Sequence, residues 1–209
     1  QFYRGILDNK TNILLSRIAD GLNNTTGISF EKLNGTSSTY TKGSSSTVFP
    51  VYTYMGPLPV VDSVWNVNGI GSQNITTYAY EGAKIHRQGK GFLCMAKQTV
   101  TDVASNMVTE NNYTYNTTKY FPQLASSINK YGSTKLSTVT NTWNYSTPAT
   151  GVIYPYISQS TQTYNLTGHS VTTNLSSIDS YGNPTLISTA YNNGVTETVT
   201  NSYTNDATN

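Results

Sequence analysis

The chain has 209 residues, a formal net charge of +2 and only 11% charged residues, compared with roughly 25% in a typical globular domain. So small a charge excludes the strong overall field by which proteins attract nucleic acid or an anionic membrane, and no apolar run approaches the roughly 18 residues of a membrane span. Cys94 is the only cysteine, which excludes an intrachain disulfide and argues against a cysteine-based zinc site.

The composition favours strands over helices. Ser, Thr and Asn are abundant, and the chain has 17 Tyr but few Ala, Glu or Lys. Thr, Val, Ile and Tyr suit the half-buried surface of a sheet, whereas Ala, Leu, Glu and Lys are the residues that helices prefer. Because the chain opens with "QFYRGILDNKT", without a leader pattern, we expect residues 1–209 to be a single β-rich fragment of a larger polypeptide.

Apolar and polar residues alternate with period two along the first half of the chain, and this alternation predicts strands. We expect such strands over residues 13–18, 26–33 and 74–82. Between the second and third of these, the low-complexity segment "TSSTYTKGSSST" covers residues 36–47. That segment is predicted to be a mobile hairpin tip or a linker, with the tip preferred.

The same alternation continues in the second half, over residues 109–118 and 137–147. The clearest signal covers residues 185–204, where two alternating runs meet at Asn192-Asn193-Gly194. Asn and Gly favour the positive φ of a tight turn, so this stretch predicts a β-hairpin. The sequence therefore predicts an all-β fold in which antiparallel hairpins form a meandering, strongly twisted sheet, either an open strip or a segment of a shell.

The most basic stretch, "GAKIHRQGKGFLCMAKQTV", covers residues 82–100. It contains Gly89-Lys90-Gly91, but the spacing and the following residues match neither a phosphate-binding loop nor a dinucleotide fingerprint. Basic residues flanked by aromatic ones occur in single-strand binders, yet a solvated hairpin turn is the better interpretation and no nucleic-acid partner is expected. We predict that Gly89-Lys90-Gly91 is a tight turn that starts a strand from Phe92 to Val100, with its glycines allowing close backbone approach.

The sequence offers no catalytic, cofactor-binding or metal-binding residues. It has two histidines and lacks metalloprotease, serine-hydrolase and paired-carboxylate patterns, so we expect no enzyme activity and no cofactor. Cys94 lies between Leu93 and Met95, where a buried structural thiol is expected rather than a nucleophile.

Most of the aspartates are expected to lie at turns, where they cap the local backbone rather than hold calcium. The aspartates are Asp8, Asp20, Asp62, Asp102, Asp179 and Asp206. Exposed Tyr and Asn side chains leave a carbohydrate-binding or adhesin module as the alternative function.

Two groups of residues resemble the RHS/YD-repeat family, which includes the B components of insecticidal toxin complexes. The first group is similar to that family's "YYGA…GRGFLGF…VTD" run and the aromatic-Pro pair after it, and it comprises Tyr80, Gly82, Gly89, Gly91, Phe92, Leu93, Asp102, Phe121 and Pro122. The second group resembles the YD turn and comprises Asp179, Tyr181, Gly182 and Asn183. Lys90 stands where the family usually has Arg, and Cys94-Met95 where it has Gly-Phe.

The resemblance implies a structural role. In this family β-strips coil into a hollow shell that encloses a C-terminal toxin, and this chain looks like the region just upstream of the repeat core. The implied partners are the rest of the parent polypeptide and its C-terminal cargo, and the implied location is extracellular or the bacterial cell surface. Because a strip cut from a shell has unpaired strand edges, we also expect self-association through those edges, or edges covered by short or Pro-containing strands.

Overall fold

The computed structural model describes residues 14–22, 24–34, 37–43 and 47–204. Within these ranges the chain forms sixteen strands and no helix. The strands are β1 (Arg17–Ala19), β2 (Thr25–Lys32), β3 (Tyr40–Thr41), β4 (Val51–Thr53), β5 (Pro59–Val67), β6 (Gln73–Glu81), β7 (Lys84–His86), β8 (Gly91–Cys94), β9 (Lys97–Asp102), β10 (Met107–Tyr115), β11 (Pro122–Tyr131), β12 (Thr134–Ser146), β13 (Tyr154–Tyr164), β14 (His169–Ile178), β15 (Pro184–Tyr191) and β16 (Thr196–Thr200).

Most of these strands form one open, meandering sheet. Its order is β1-β2-β5-β6-β9-β10-β11-β12-β13-β14-β15-β16, with every neighbouring pair antiparallel, and β3 adds a short parallel pairing to β6. A second sheet of three strands has the order β4-β7-β8. The all-β, antiparallel and open architecture predicted from the sequence is confirmed.

The predicted C-terminal hairpin is confirmed as well. Strands β15 and β16 pair antiparallel, with Ala190 opposite Thr196. Gly194 has a φ of +88°, and its backbone N–H donates to the carbonyl of Tyr191 at 3.0 Å. The turn needs this left-handed backbone, which Gly adopts at little cost.

Aspartate side chains cap several turns, as predicted. Asp20 Oδ1 accepts hydrogen bonds from the backbone N–H groups of Leu22 and Asn24, at 2.8 and 2.9 Å. Asp102 and Asp179 accept equivalent bonds from the turns that follow β9 and β14. These carboxylates satisfy turn amides that no strand partner reaches.

One aspartate of this set does not lie at a turn. Asp62 lies inside β5, where its Oδ1 accepts a hydrogen bond from the Thr39 hydroxyl. The predicted turn positions Asp8 and Asp206 lie outside the described residues.

The buried core lies where the small sheet meets the large one. One cluster consists of Leu33, Tyr40 and Ala83, and a second of Val51, Leu93 and Cys94. By contrast, the stretch from 97 to 204, which is described without a gap, contains no fully buried residue. Tyr113 and Tyr115 of β10 still pack against the second cluster, and from β11 to β16 the molecule is a single layer of sheet.

The hairpin-tip prediction for residues 36–47 differs from the structure where that segment is described. Tyr40 has no exposed surface and begins β3, whose pairing to β6 is parallel rather than hairpin-like. Its hydroxyl donates to the Tyr54 carbonyl at 2.6 Å and accepts the Ala83 N–H at 3.3 Å. One buried tyrosine thus anchors a stretch whose composition is otherwise that of a linker; residues 35–36 and 44–46 lie outside the described part.

Two strand predictions also need correction. The strand expected from Phe92 to Val100 is two strands in different sheets, β8 and β9. The chain crosses between the sheets at Ala96, whose N–H bonds to the carbonyls of Glu81 and Gly82. Alternation cannot reveal this break because both halves are genuinely extended. The strand expected over residues 13–18 is shorter and later, at β1, and residue 13 is outside the described ranges.

Replacing Tyr40 by Phe should destabilise the protein by about 1–3 kcal/mol, because the half-buried Tyr54 carbonyl and the buried Ala83 N–H lose their partner. Urea denaturation measures this change. Tyr131→Phe is the matched control, since Tyr131 is 59% exposed and should change stability by less than about 0.5 kcal/mol. Equal effects of the two substitutions would contradict the anchoring role of Tyr40.

Candidate functional site

Three loops meet at one end of the large sheet and enclose adjoining cavities. They are the turn between β7 and β8 (residues 87–90), the loop between β10 and β11 (residues 116–121) and the loop between β12 and β13 (residues 147–153). The cavities have volumes of about 310, 370 and 340 Å³, and Lys119 and Ile153 line all three. We call this set of cavities the three-loop groove.

The charged side chains that line the three-loop groove are cationic. Lys90 and Lys119 line the first and second cavities, and no Asp or Glu lines any of the three among the described residues. Neither lysine forms an ion pair with a described residue, although Lys119 Nζ lies 5.8 Å from the centre of the Tyr145 ring. The groove therefore presents positive charge without a neutralising carboxylate.

A buried histidine forms part of the first cavity. His86 is 6% exposed, and its Nδ1 accepts a hydrogen bond from the Gln88 N–H at 3.1 Å. A neutral imidazole with an accepting Nδ1 carries its proton on Nε2. That Nε2 has no hydrogen-bond partner in the described part of the chain, which is rare for a buried polar atom. The ring packs edge-on against Tyr120, with centroids 4.3 Å apart.

Tyr120 adopts a backbone conformation that bulky residues seldom adopt, with a φ of +60°. The loop that surrounds it enforces this conformation. Asn116 Oδ1 accepts hydrogen bonds from the N–H groups of Thr118 and Lys119 at 2.9 and 2.7 Å, and the Tyr120 N–H donates to the Asn116 carbonyl at 2.8 Å. Left-handed backbone at a non-glycine residue persists only where its surroundings over-determine it, and such residues cluster at binding sites.

A buried polar pair lies behind the groove on the small sheet. Lys84 and Cys94 are opposite each other on β7 and β8, and Lys84 Nζ donates to Thr53 Oγ1 at 2.9 Å. Burial lowers the pKa of Lys84. Burial also raises the pKa of Cys94 to about 11, so the thiol stays protonated at neutral pH. Cys94 is thus buried, as predicted from the sequence, and its protonated thiol is a poor nucleophile.

The predicted solvated basic turn is only partly correct. Lys84 and His86 are buried, with exposures of 4% and 6%, whereas Arg87 and Lys90 are exposed. Lys97 lies on β9, where its Nζ is 3.5 Å from Glu110 Oε1. Five nearby basic residues therefore lie in different environments, because the chain enters the small sheet, turns and returns to the large one within this stretch.

The structure brings together four residues of the first family-marker group. Phe92, Leu93, Phe121 and Pro122 line the second cavity of the three-loop groove, although they come from two distant parts of the sequence. Gly89 and Gly91 form the neighbouring turn with positive φ values. A Cβ at Gly89 or Gly91 would meet no atom within 4 Å. These two glycines are therefore needed for the backbone conformation of the turn. The expectation that they allow close backbone approach is wrong.

The remaining residues of that group lie elsewhere. Tyr80 packs against the cluster around Tyr40. Gly82 marks the close approach between the sheets, since a Cβ there would lie 3.0 Å from the Ala96 Cβ. Asp102 caps the turn between β9 and β10, at the opposite end of the large sheet.

The YD-like group forms a local turn between β14 and β15. Asp179 Oδ1 accepts the N–H groups of Tyr181 and Asn183 at 2.9 and 2.8 Å, and its Oδ2 accepts the Asn183 side-chain amide at 2.9 Å. Gly182 has a φ of +90° and a Cβ there would lie 2.9 Å from the Tyr154 ring. The four residues thus build one turn that packs against the start of β13, near the three-loop groove but outside its lining.

The sequence interpretation missed Lys119, Tyr120 and Ile153 as partners of the basic stretch. Their loops are separated from Lys90 by about 30 and 60 residues in the printed sequence, and only the antiparallel ordering of the strands brings them to the same end. The available signal was the "TTKYFP" run before β11, which places Lys, Tyr and Phe together in a turn.

Among the described residues, no group of three or more His, Cys, Asp and Glu side chains could hold a metal ion. Within the same residues, none of the chain forms a helix long and apolar enough to cross a membrane.

Comparison with known proteins finds a similar fold among solved structures. No family model matches the chain, and no curated protein matches it either. Among solved structures it is similar to part of the crystal structure of TcdB2-TccC3-TEV, with a TM-score of 0.61 and 12% sequence identity. The match covers 88% of this chain and 12% of that chain. At this identity the similarity shows a shared fold, one that occurs in a toxin complex.

Cys94 should react slowly with alkylating reagents in the native protein, since thiolate is the reactive form and a pKa of about 11 leaves little of it at pH 8. Iodoacetamide modification followed by mass spectrometry should be at least about 100-fold slower in the folded chain than in urea. The control is Ser133→Cys in a Cys94→Ala chain, because Ser133 is exposed and should react at similar rates in both conditions. Fast native modification of Cys94 would contradict the buried, protonated thiol.

Proposed function

We propose that this chain is a non-catalytic wall segment of a larger, toxin-complex-like RHS/YD-repeat protein, in which the sheet forms part of a shell around a C-terminal cargo. The observation that carries the proposal is the single layer of sheet from β11 to β16, in which no residue is fully buried. A sheet hydrated on both faces can separate two aqueous spaces without a second layer.

Side-chain ladders on both faces support this role. On one face, the Thr161 and Thr172 hydroxyls are 3.0 Å apart. On the other face, Thr109 Oγ1 donates to Asn129 Oδ1 at 3.0 Å, and Asn129 Nδ2 donates to Ser137 Oγ at 3.3 Å. Such cross-strand pairs contribute about 0.2–1 kcal/mol each, so they help to stabilise a sheet that has no core beneath it.

An ionic cluster adds to the ladders. Glu110 on β10 lies 2.6 Å from the Lys130 amine on β11 and 3.5 Å from the Lys97 amine on β9. One carboxylate therefore links three consecutive strands on the same face. The hydrogen bond from Lys130 is the main cause that holds the pKa of Glu110 below its usual value.

The fold shared with a toxin-complex chain, of which this chain spans 12%, supports the assignment to a larger assembly. The partners of this proposal are the rest of the parent polypeptide and its C-terminal cargo, and its location is extracellular or the bacterial cell surface. A wall segment performs no chemistry of its own. A panel of hydrolase substrates should therefore show no turnover, and reproducible turnover by the purified chain would contradict the wall role.

The wall proposal includes association through the sheet edge at β16. All five residues of β16 are exposed, and the strand pairs with β15 on one side only within the described chain. Of the features that protect sheet edges, the strand has one charged residue, Glu197, and no Lys, Pro or bulge. Antiparallel pairing of two copies about Thr198 would place Glu197 of each copy opposite Val199 of the other, so like charges would not face each other directly.

Thr198→Lys should weaken this self-association, because a lysine on an edge strand disfavours pairing with another edge. Sedimentation velocity over a concentration series should show concentration-dependent dimers for the unmodified chain and at least a tenfold weaker dimer for the variant, a change of about 1.4 kcal/mol. Thr134→Lys is the matched control, since Thr134 is exposed on β12, an interior strand. A strict monomer at about 0.5 mM would contradict edge pairing.

The second candidate function is carbohydrate binding by exposed tyrosines. Tyr154 and Tyr181 are 41% and 67% exposed, and the turn at Gly182 brings the two segments together. Aromatic side chains at the surface can stack on sugar rings. A glycan array should distinguish the two candidates: selective binding that Tyr154→Ala and Tyr181→Ala abolish would favour the carbohydrate-binding module over the wall segment.

A further inference from the structure

We infer that the three-loop groove is a recognition site for an acidic peptide segment, one that carries carboxylates beside an aliphatic or aromatic side chain. This inference does not depend on the wall proposal, because that proposal concerns the sheet and its edges while this one concerns the loops at one end.

The charged side chains of the first two cavities are both lysines. Lys90 and Lys119 both line the first and second cavities. The lining contains no carboxylate among the described residues, and neither amine has an ion-pair partner among them. Two lysine amines around one cavity repel each other, and an anionic oxygen between them would relieve that repulsion.

A buried hydrogen-bond donor without a partner in the described chain lies beside these lysines. The His86 side chain lines the first cavity together with Lys90 and Lys119. It is 6% exposed, and its Nε2 has no partner in the described chain. Because Nδ1 already accepts the Gln88 N–H, the unpaired Nε2 is a donor, and a carboxylate in the first cavity would supply the acceptor that it lacks. The donors around this cavity thus favour an anion over a neutral or cationic group.

An apolar wall lies next to the two lysines. The second cavity is lined by Phe92, Phe121, Pro122 and Pro155 besides the two lysines, and Phe92 is 47% exposed. A peptide with an apolar side chain two residues from a carboxylate would fill both cavities, since alternate side chains of an extended segment point the same way.

The arrangement of the aromatic rings favours a peptide over an acidic sugar. Sugar rings stack on open aromatic faces, but the Tyr120 ring is already packed against His86 and Tyr115. Phe121 packs edge-on against Tyr145. The apolar surface that remains belongs to Phe92, Ile153 and the prolines, which suits an aliphatic or aromatic side chain.

The test uses the full chain and a fluorescein-labelled, end-blocked peptide, Gly-Asp-Ser-Ile-Ser-Glu-Ser-Phe-Gly, in which each apolar residue lies two positions from an acid, followed by fluorescence polarisation. We expect a dissociation constant below about 100 μM at low salt, weakening as salt increases. Two control peptides replace the acids by their amides or the apolar residues by Ala, and each should bind at least about tenfold more weakly.

Charge-reversal variants test whether the acidic peptide binds in the three-loop groove. Lys90→Glu combined with Lys119→Glu should weaken binding of the acidic peptide at least about tenfold. The same double variant should bind a counterpart peptide that has Lys in place of the acids. Lys135→Glu is the matched control, because Lys135 is an exposed lysine on β12 outside the groove, and it should leave the affinity within about twofold. Circular dichroism checks the fold of each variant, and Lys90→Gln with Lys119→Gln provides the same test should the doubly reversed chain not fold.

Several results would overturn the inference. They are an acidic peptide that binds no better than its amide control, an affinity that the Lys90 and Lys119 variants leave unchanged, and no binding below about 1 mM. The inference would also be overturned if polygalacturonate bound through the two lysines while the acidic peptide did not bind. That result would assign the groove to acidic sugars. None of these outcomes bears on edge pairing at β16, so the failure of one proposal is distinguishable from the failure of the other.

Discussion

Backbone hydrogen bonds between neighbouring antiparallel strands are the interaction on which this structure depends. From β9 to β16 the sheet has no fully buried residue, so apolar burial supplies less of its stability than it does in a layered domain. Each ladder bond contributes only about 0.5–1.5 kcal/mol net. Interior strands satisfy their backbone groups on both sides, and the sheet is therefore stabilised by the pairing of each interior strand with two neighbours. At its edges, where this pairing stops, the sheet can pair with another strand.

The part of the molecule that contains the small sheet has buried clusters instead. Between β2 and β5, and again between β6 and β9, the chain leaves the large sheet and contributes strands to the small one. The two excursions bury Leu33, Tyr40 and Ala83 in one cluster and Val51, Leu93 and Cys94 in another. This is the part of the described chain with a conventional core. The same excursion that buries Lys84 and His86 also projects Lys90 towards the loop that carries Lys119 and Tyr120, so the groove is a consequence of how the core is made.

The sequence interpretation succeeded where the signal is local. Asn192-Asn193-Gly194 forms the expected hairpin turn, and Asp20, Asp102 and Asp179 cap turns as expected, because turn chemistry depends on a few consecutive residues. It failed where a distant contact overrides composition. Tyr40 lies in a Ser-, Thr- and Gly-rich segment that resembles a linker, yet its hydroxyl bridges Tyr54 and Ala83 in the core. Asp62 likewise lies inside a strand, where its carboxylate accepts a hydrogen bond from the Thr39 hydroxyl.

By itself the sequence determined the all-β class, the antiparallel meander and the positions of most turns, because period-two alternation and turn residues act over a few neighbouring positions. It also marked Phe92, Leu93, Phe121 and Pro122 as a related group through their resemblance to one family. The tertiary structure alone decided that these residues share a cavity with Lys90 and Lys119 and that the basic stretch divides between two sheets. It alone decided, too, which polar side chains are buried. The physical reason is that side-chain environment depends on strand order and register, which join residues that lie far apart in the chain and leave no local pattern in it.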